Sequence, residues 1–364
     1  MRRRIGMAGL ALAAAIGCGQ AASARGVRLE GVPRFDHVVV IVEENKEYDQ
    51  IVAGVDAPNI AGFARTYGNA TRFHGEVHPS EANYVALLGG DTFGIHDDDA
   101  FYCKPGLKDP NCGSAASQPG YPDHTVTSPH LGDQLKAVGL TWKGYYESLP
   151  EPGSLAYIAG DPKFDNGARP SAMYASKHSG FLNFASVQHD PDRASHIVGF
   201  DQLESDLSRN LLPSFALIVP NQCNEMHGLY GPGIPADCVG SNIGPLIRRG
   251  DAILGKLVGD LQATRAWRGA GNMAIVITFD EGSGGDRAGC CGVTPAAASN
   301  YGGGHIPTIV ITNHGPRGLA DDTPYNHYSL LRTLEDAFGV DTYLGHANDR
   351  EKGVLPMTRL FGGQ

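Results

Sequence analysis

The chain has 364 residues, of which 41% are hydrophobic and 19% charged, and its formal net charge is −10. The 49 glycines and 23 prolines imply a loop-rich surface. The negative charge argues against a nucleic-acid backbone as the main partner, although a local site can still bind a small anion. The length would allow two domains, but no linker, charge run or internal repeat divides the chain, so we predict one large domain.

The first residues have the layout of an export signal. A basic start, MRRR, precedes a short apolar run that ends in small residues just before Arg25. We therefore predict a signal peptide over residues 1–24, a single domain over residues 25–364, and a secreted or periplasmic location. Twin-arginine export and a lipid anchor at Cys18 are less favoured alternatives. No later apolar stretch approaches the ~20 residues of a membrane-spanning helix, so we expect no transmembrane segment.

Six cysteines remain after the predicted signal, and an even number in an exported chain is typical of disulfides. The simplest of the 15 possible connectivities joins Cys103 to Cys112 and Cys223 to Cys238. The adjacent cysteines at 290–291 form a bridge to each other or pair elsewhere. A zinc cluster is the alternative, but no C-x-x-C spacing supports it.

Short runs rich in Val and Ile alternate with longer amphipathic segments, which is typical of an α/β sheet covered by helices on both faces. The predicted strands cover residues 37–42, 215–220, 273–279 and 307–312. Because these are nearly continuous apolar runs, we expect them to be central parallel strands. One predicted helix directly follows Ser80, and three others cover residues 130–139, 245–264 and 328–339.

Polar residues directly follow three of these strands. They are Glu43, Glu44 and Asn45 after the first strand, Asn221 after the second, and Asp280 and Glu281 after the third. Ligands in open α/β sheets bind beyond the carboxyl ends of the strands, so we expect these side chains at one edge. Acids that end a buried strand are costly unless something positive compensates them, and a divalent cation would do so.

Both acidic motifs also have simpler interpretations. Asp280 and Glu281 begin a glycine-rich stretch, FDEGSGG, which could be a solvated turn. Glu44 and Asn45 could begin a helix whose dipole favours acids in its first turn. The sequence at this point therefore leaves both a metal site and a structural role open.

Ser80, in the stretch HPSEANY, precedes an apolar helical segment. It could cap that helix or act as a nucleophile. The roles are compatible because a helix amino terminus presents free N–H groups to an anion, so we predict both. His227 and His305 each stand beside a strand end, where a lone histidine is more often structural than catalytic. His327, near the start of the last helix, is expected to be structural.

A set of ordered motifs resembles the bacterial and fungal phosphoesterase family that holds secreted acid phosphatases and phospholipases C. The motifs are EENKEYD, HPSEANYVALLGG, PNQCNEMHG, FDEGSGG, YGGGH and YNHYSLLRTLEDAFG. The resemblance extends over residues 36–340 and implies an alkaline phosphatase-like fold. This fold is a three-layer α/β/α sandwich with a mostly parallel central sheet, and residues 25–364 would form one phosphoesterase catalytic domain.

The resemblance also implies roles for individual residues. The implied metal ligands are Glu44, Asn45, Ser80, Asp280 and Glu281. Ser80 would be the nucleophile, and His227 and His305 would line the phosphate pocket as transition-state stabilisers or as the acid for the leaving group. The oxygen-rich ligand set favours Ca²⁺, Mg²⁺ or Mn²⁺, while the resemblance to alkaline phosphatase keeps Zn²⁺ open.

We therefore expect a secreted, metal-dependent acid phosphatase that hydrolyses phosphate monoesters through a phosphoserine on Ser80. Family phospholipases usually have Arg-Ser-Phe after the Glu-Asn pair and carry extra carboxy-terminal domains. Here residues 46–48 are Lys-Glu-Tyr and the chain ends soon after the last helix, which favours the compact phosphatase branch.

Two alternatives remain at this point. One is a phospholipase C or another phosphodiesterase, which acts on a phospholipid headgroup and needs an apolar rim that residues 145–174 could supply. The other is a non-catalytic, metal-dependent surface binding protein, which would release no phosphate. An α/β serine hydrolase is disfavoured because no G-x-S-x-G surrounds Ser80.

Overall fold

A computed structural model describes residues 30–160, 172–231, 233–294 and 300–363. The predicted signal peptide lies outside these residues. The strands are β1 His37–Glu43, β2 Gly68–His74, β3 Trp142–Tyr146, β4 Ile158–Ala159, β5 Tyr174–Ala175, β6 Ile197–Val198, β7 Phe215–Val219, β8 Met273–Phe279, β9 His305–Thr312, β10 Leu319–Asp321 and β11 Tyr325–Asn326.

Helices of the α type alternate with these strands. They are α1 Tyr48–Ile51, α2 Pro58–Thr66, α3 Glu81–Gly89, α4 Leu131–Ala137, α5 Ala185–Gln188, α6 Arg193–His196, α7 Phe200–Arg209, α8 Ile243–Ala263, α9 Arg265–Arg268 and α10 His327–Phe338. Short 3₁₀ turns cover Ser114–Ser117, Ser176–His178, Phe181–Asn183, Gly345–Asn348 and Arg350–Lys352. Every predicted strand and helix is present, with small differences at its ends.

The main sheet has the strand order β10-β2-β9-β8-β1-β7-β3-β6, and β11 also pairs with β2. All neighbours are parallel except that β9 runs antiparallel to β8 and β2. The predicted mostly parallel α/β sheet is confirmed, but the parallel direction predicted for residues 307–312 is wrong. The described residues between β8 and β9 contain no helix that could return the chain for another parallel strand.

The sheet is covered on both faces. Every residue from Val38 to Val42 on β1 is at most 1% exposed, and neighbouring side chains of a strand point to opposite faces. Helices α2 and α8 pack together, whereas α3, α4 and α10 pack with one another as a second group. The sheet and the two groups of helices therefore form the three layers of the predicted α/β/α sandwich.

Helix α10 is buried along its whole length rather than along one stripe only. It begins where the Asn326 side chain accepts a hydrogen bond from the Ser329 backbone N–H at 3.1 Å. It ends at Gly339, whose φ of 65° suits glycine. The buried Arg332 is accommodated because its guanidinium donates to both carboxylate oxygens of Glu30, at 2.7 and 2.6 Å.

The cysteines pair as three disulfides within the described residues. Cys103–Cys112 and Cys223–Cys238 confirm the predicted local pairs, with Cα atoms 5.7 and 4.8 Å apart. The cysteines at 290–291 bridge to each other, which decides the question that the sequence left open. No helix in the described part of the chain is both long and apolar enough to cross a bilayer.

Candidate active site at the carboxyl edge of the sheet

The central strands β1 and β8 bring two acidic motifs side by side. They are parallel neighbours whose last paired residues are Glu43 and Phe279. Just beyond them, the Asp280 backbone N–H donates to the Glu43 carbonyl oxygen at 3.1 Å. The Asn45 backbone N–H donates to Asp280 Oδ1 at 3.2 Å. The two motifs therefore meet at one edge of the sheet, as predicted.

Ser80 lies at this edge with its hydroxyl directed at the acidic motifs. Its Oγ atom is 3.2 Å from Glu44 Oε2 and 3.3 Å from Glu281 Oε1, and the side-chain amide of Asn45 lies beside these carboxylates. The residue is 1% exposed. Because a hydroxyl has only one proton, it can donate to only one of the two carboxylate oxygens at a time. The Asn45 amide nitrogen donates to Asp280 Oδ1 at 3.1 Å and to Glu44 Oε2 at 2.6 Å.

The side chain of Ser80 does not cap helix α3, so this part of the prediction is wrong. The residue occupies the N-cap position with helical dihedral angles of −55° and −50°, and its side chain makes no capping hydrogen bond. The first backbone N–H of the helix, at Glu81, donates instead to Asp98 Oδ1 at 3.1 Å. The serine hydroxyl is thereby left to face the acidic motifs.

Burial and mutual repulsion dominate the electrostatics of the cluster. Burial, and then the neighbouring carboxylate of Glu281, raise the pKa of Asp280 to about 8. Burial, followed by the charge of Asp280, raises the pKa of Glu44 well above its ordinary value. Burial also raises the pKa of Glu281. These carboxylates would be ionised together only if a positive charge compensated them.

The nearby lysines do not donate to the carboxylate oxygens of the cluster. Lys46 Nζ donates to backbone carbonyl oxygens of Glu44, Asn45 and Met226, at 3.3, 3.2 and 2.8 Å. Lys177 Nζ pairs with Asp98 Oδ2 at 2.8 Å. The convergent oxygens come from carboxylates and a hydroxyl, and a half-turn of the Asn45 amide would add its oxygen. These are the ligands that a hard divalent cation prefers. The predicted ligand set therefore fits a cation chemically.

Two further histidines contact the acidic motif that follows β8: His78 contacts Glu281, and His327 contacts Phe279. His78 Nδ1 forms an ion pair with Glu281 Oε2, and its Nε2 atom lies 3.0 Å from the Asp286 carbonyl oxygen. Burial lowers the pKa of His78, but the contact with Glu281 outweighs this and raises it above the ordinary value. His327 Nε2 lies 2.9 Å from the Phe279 carbonyl oxygen and is buried, in agreement with its expected structural role.

On the other side of Glu44 lie His227 and an unpredicted residue, His178. His178 Nε2 is 3.2 Å from Glu44 Oε1, and its Nδ1 atom is 2.8 Å from Glu225 Oε1. One ligand atom from each of Glu44, His178 and His227 lies within 4.8 Å of the others, so these residues could hold a metal ion. Burial, and then the charge of Lys177, lower the pKa of His227 to about 4.

His305 belongs to a different set of contacts. Its Nε2 atom lies 2.9 Å from the Thr71 carbonyl oxygen, and its ring stacks on Tyr48 with centroids 4.6 Å apart. Its backbone N–H donates to Asp286 Oδ2 at 2.9 Å. His305 stands at the same edge of the sheet, at the start of β9, but its ring contacts are with these neighbours rather than with the Ser80 cluster.

Sequence reasoning missed His178 because nothing around it marks a strand end. It closes the short 3₁₀ turn Ser176–His178, in a region without a long apolar run. Asn221, which was expected at the edge, is there, but its side chain receives the backbone N–H groups of Cys223 and Asn224 at 3.1 and 3.2 Å. Asn221 therefore stabilises the turn after β7 and makes no contact with the Ser80 cluster.

The overall fold is similar to that of a protein in the alkaline phosphatase superfamily from Vibrio parahaemolyticus. The comparison gives a TM-score of 0.51 and 14% sequence identity, and covers 86% of this chain and 68% of that one. At this level of identity the likeness concerns the fold alone. It agrees with the alkaline phosphatase-like sandwich that the sequence predicts.

Sequence comparison adds more closely related proteins. The chain is 29% identical over 337 residues to a phosphatidylinositol-3-phosphatase of Mycobacterium tuberculosis, covering 93% of this chain and 86% of that protein. It is 28% identical over 315 residues to an acid phosphatase of Aspergillus fumigatus, and the match covers 86% of this chain and 56% of that protein. It is 25% identical over 240 residues to a hemolytic phospholipase C of Pseudomonas aeruginosa, and the match covers 59% of this chain and 30% of that protein. The phosphoesterase family pattern matches residues 53–341, and this chain therefore belongs to the phosphoesterase family and is a hydrolase of phosphate ester bonds.

Proposed function

We propose that the protein is a metal-dependent acid phosphatase that hydrolyses phosphate monoesters with Ser80 as its nucleophile. The observation that carries the proposal is the position of Ser80 Oγ, 3.2 and 3.3 Å from carboxylate oxygens of Glu44 and Glu281. The mycobacterial and fungal relatives, which are named as phosphatases, support the preference for monoesters.

The ligands of the cation would be Glu44, Asn45, Ser80, Asp280 and Glu281. When bound, a divalent cation lowers the pKa of a hydroxyl and offsets charge on the phosphoryl oxygens. The all-oxygen set favours Ca²⁺, Mg²⁺ or Mn²⁺, and Zn²⁺ is the alternative. Within this set Glu44 and Glu281 also orient the serine hydroxyl, since one oxygen of each lies within hydrogen-bond distance of Ser80 Oγ.

The reaction has two steps at the serine oxygen. Ser80 Oγ forms a bond to phosphorus, the bond from phosphorus to the alcohol oxygen breaks, and the alcohol leaves with a proton. Water then attacks the phosphoserine, inorganic phosphate leaves, and Ser80 Oγ regains a proton. The position of Ser80 at the start of α3 favours the negatively charged intermediate because a helix amino terminus attracts anions.

His227 and His305 complete the proposal as residues of the phosphate pocket. His227 is the stronger candidate for assisting the leaving group, because it shares a cluster with Glu44. We propose a smaller role for His305, because its ring is engaged by Thr71 and Tyr48.

The direct test compares Ser80→Ala with a matched control, Ser186→Ala, whose hydroxyl contacts Asp133 at an exposed position. With p-nitrophenyl phosphate we expect Ser80→Ala to lose about 10³-fold or more in kcat, since a nucleophile acts only in the chemical step. The control should retain wild-type turnover. Near-normal turnover by Ser80→Ala would refute the proposed nucleophile.

Phosphodiester hydrolysis is the second candidate function. Three tyrosines of the segment expected to supply an apolar rim, Tyr145, Tyr146 and Tyr174, cannot do so because they are at most 3% exposed. Residues 161–171 of that segment lie outside the described residues. Leu155 and Ile158 in the same segment are 40% and 37% exposed, however, and could contact a lipid-like substituent. Comparing turnover of a monoester with that of phosphatidylcholine separates the two functions, and faster hydrolysis of the lipid would favour the diesterase.

We also propose that the protein is exported, either secreted or periplasmic. Disulfides persist in oxidising compartments, and the described residues hold three of them. Amino-terminal sequencing of the mature protein tests the predicted cleavage after residue 24. A mature protein that retains Met1 would contradict it.

A further inference from the structure

A cavity of about 530 Å³ lies outside the Ser80 cluster and takes no part in the chemistry proposed above. Its walls come from the loop after α3, the loop between β8 and β9, and the two 3₁₀ turns near the end of the chain. Sites for small organic molecules commonly have volumes of about 300–1,000 Å³. The cavity is therefore large enough to hold the alcohol part of a phosphate ester.

Asn300 joins the wall of this cavity to the segment that carries Ser80. The His78 backbone N–H donates to the Asn300 carbonyl oxygen at 3.2 Å, and Asn300 Nδ2 donates to the His78 carbonyl oxygen at 3.0 Å. His78 precedes Ser80 by two positions, and its ring contacts Glu281 of the acidic cluster. The cavity and the Ser80 cluster therefore border the same short segment of the chain.

Most of the cavity lining is polar. Among the described residues that line it, Val293 alone has an aliphatic side chain, and the others are glycines or carry hydroxyl, carboxylate, amide, imidazole or ammonium groups. An alkyl chain would bury little apolar surface against such walls and would gain little free energy by entering. The cavity therefore fits a polar organic group better than a lipid chain.

The charges around the cavity favour a neutral group over a second anion. His346 Nδ1 and Lys352 Nζ both contact carboxylate oxygen Oδ2 of Asp349, at 2.7 and 2.9 Å, so the chain itself offsets positive charge there. Asp91 Oδ1 accepts a hydrogen bond from the Phe93 backbone N–H at 3.0 Å. A carboxylate has about four acceptor positions, so Asp91 can accept further hydrogen bonds. Hydroxyl groups suit these walls, because each one both donates and accepts hydrogen bonds.

We infer that this cavity binds the alcohol part of a phosphate monoester that carries several hydroxyl groups, such as a sugar phosphate. Asp91 accepts hydrogen bonds from those hydroxyl groups and is a specificity-determining residue. The inference rests on the proposed function and deepens it, because it names the class of substrate. Ser80 attacks phosphorus in every monoester, whereas the cavity determines which alcohol is preferred.

The test compares the hydrolysis of glucose 6-phosphate and n-hexyl phosphate by the full chain in the presence of divalent cation. Both substrates are phosphate esters of primary six-carbon alcohols, but only glucose 6-phosphate has further hydroxyl groups. We expect kcat/KM to be about tenfold or more higher for glucose 6-phosphate, because a site that hydrogen-bonds hydroxyl groups discriminates against an analogue that lacks them. Equal or faster hydrolysis of n-hexyl phosphate would overturn the inference.

Variants then test the walls of the cavity. Asp91→Ala removes an acceptor and Val293→Trp fills the space, so we expect each to lower the ratio of the two kcat/KM values about tenfold, mainly by raising KM for glucose 6-phosphate. Asp123→Ala is the matched control, because this exposed carboxylate also accepts a backbone N–H two positions along the chain, from Thr125 at 2.9 Å, and it should keep the wild-type ratio. Circular dichroism checks folding, and Val293→Trp provides the measurement if Asp91→Ala fails to fold. A wild-type ratio in both cavity variants would show that the cavity does not bind the alcohol.

Ser80→Ala separates this inference from the proposed function. If both hold, Ser80→Ala loses turnover of both substrates, and Asp91→Ala lowers the ratio between them. If Ser80→Ala retains turnover and Asp91→Ala still lowers the ratio, the nucleophile is wrong and the role of the cavity stands. If Ser80→Ala loses turnover but neither cavity variant changes the ratio, the nucleophile stands and the role of the cavity is wrong.

Discussion

Two buried aspartates of this protein, Asp206 and Asp280, have opposite surroundings. Asp206 on α7 is 2% exposed, and it pairs with Lys143 and accepts hydrogen bonds from the Tyr145 hydroxyl at 2.7 Å and Gln202 Nε2 at 2.8 Å. Asp280 after β8 is 1% exposed and lies among the other carboxylates of the candidate site. Only the first has a cationic side chain bonded to it.

The pKa shifts follow from this difference. Burial alone would raise the pKa of Asp206, but the hydrogen bonds from Lys143 and Tyr145 outweigh it and lower that pKa. At Asp280, burial and Glu281 raise the pKa to about 8. Asp206 is compensated within the chain, whereas we propose that a divalent cation compensates Asp280. On this proposal Asp206 serves stability and Asp280 serves the reaction.

The largest effect that should separate the two aspartates is on activity. Asp280→Asn removes a proposed ligand charge, and we expect kcat with p-nitrophenyl phosphate to fall about 10³-fold, as when a group that acts in the transition state is lost. In the presence of chelator, urea unfolding should show little loss of stability relative to wild type, because the change also removes repulsion with Glu281. Turnover within tenfold of wild type would argue that Asp280 has no part in the reaction.

Removing divalent cations should lower the free energy of unfolding only when Asp280 is present. We expect chelation to lower the free energy of unfolding by about 4 kcal/mol relative to protein with cation at 1,000 times its dissociation constant. Asp206→Asn should show the same loss on chelation, and Asp280→Asn a much smaller one. Thermal unfolding with and without chelator measures this, and equal losses in all three proteins would place the cation elsewhere.

Asp206→Asn should have the converse profile. We expect it to cost about 2–3 kcal/mol in the free energy of unfolding, because it leaves Lys143 without its partner and weakens hydrogen bonds to a charged group. Turnover should remain near wild type, since Asp206 is not among the proposed site residues. A large loss of kcat with unchanged stability would reverse the roles that we assign to the two aspartates.

The pH dependence of stability sharpens the assignment of Asp206. Its folded-state pKa is lowered, so its contribution is present above the unfolded pKa of about 3.9 and is lost as the pH falls through the folded pKa. The stability difference between wild type and Asp206→Asn should therefore be constant between pH 5 and 8 and should shrink below about pH 4. Urea unfolding over this range tests it, and a difference that grows on acidification would contradict the lowered pKa.

The smallest effect is expected at His305. Because its ring contacts Thr71 and Tyr48, we expect His305→Ala to reduce kcat less than about tenfold, whereas His227→Ala should reduce it about 10²-fold or more. Parallel assays of the two variants with one monoester measure the difference. Equal losses would give His305 the same rank as His227 in the phosphate pocket.

The sequence predicted the central strands and the acidic motifs well, for a physical reason. Buried parallel strands need continuous apolar runs, and their carboxyl ends meet at one edge, so the sequence alone is enough to expect Glu44 and Asp280 close together. The direction of β9 could not be predicted in the same way, because an apolar run looks alike in both directions.

Other parts of the site depend on contacts that leave no local pattern. The Ser80 side chain makes no capping hydrogen bond, and the first N–H of α3 donates to Asp98, 17 positions along the chain from Glu81. His178 reaches Glu44 through a 3₁₀ turn that no periodicity marks. Such residues are found only when the tertiary structure brings distant segments together.

We propose that the hydroxyl held between Glu44 and Glu281 attacks phosphorus. To trap the resulting phosphoserine, wild-type protein is quenched in acid during turnover of a monoester, and covalent phosphate is mapped by peptide mass spectrometry. We expect phosphate on the peptide that contains Ser80 and none on that peptide in Ser80→Ala. Phosphate on another residue, or turnover of wild type with no trapped phosphoserine in any peptide, would contradict it.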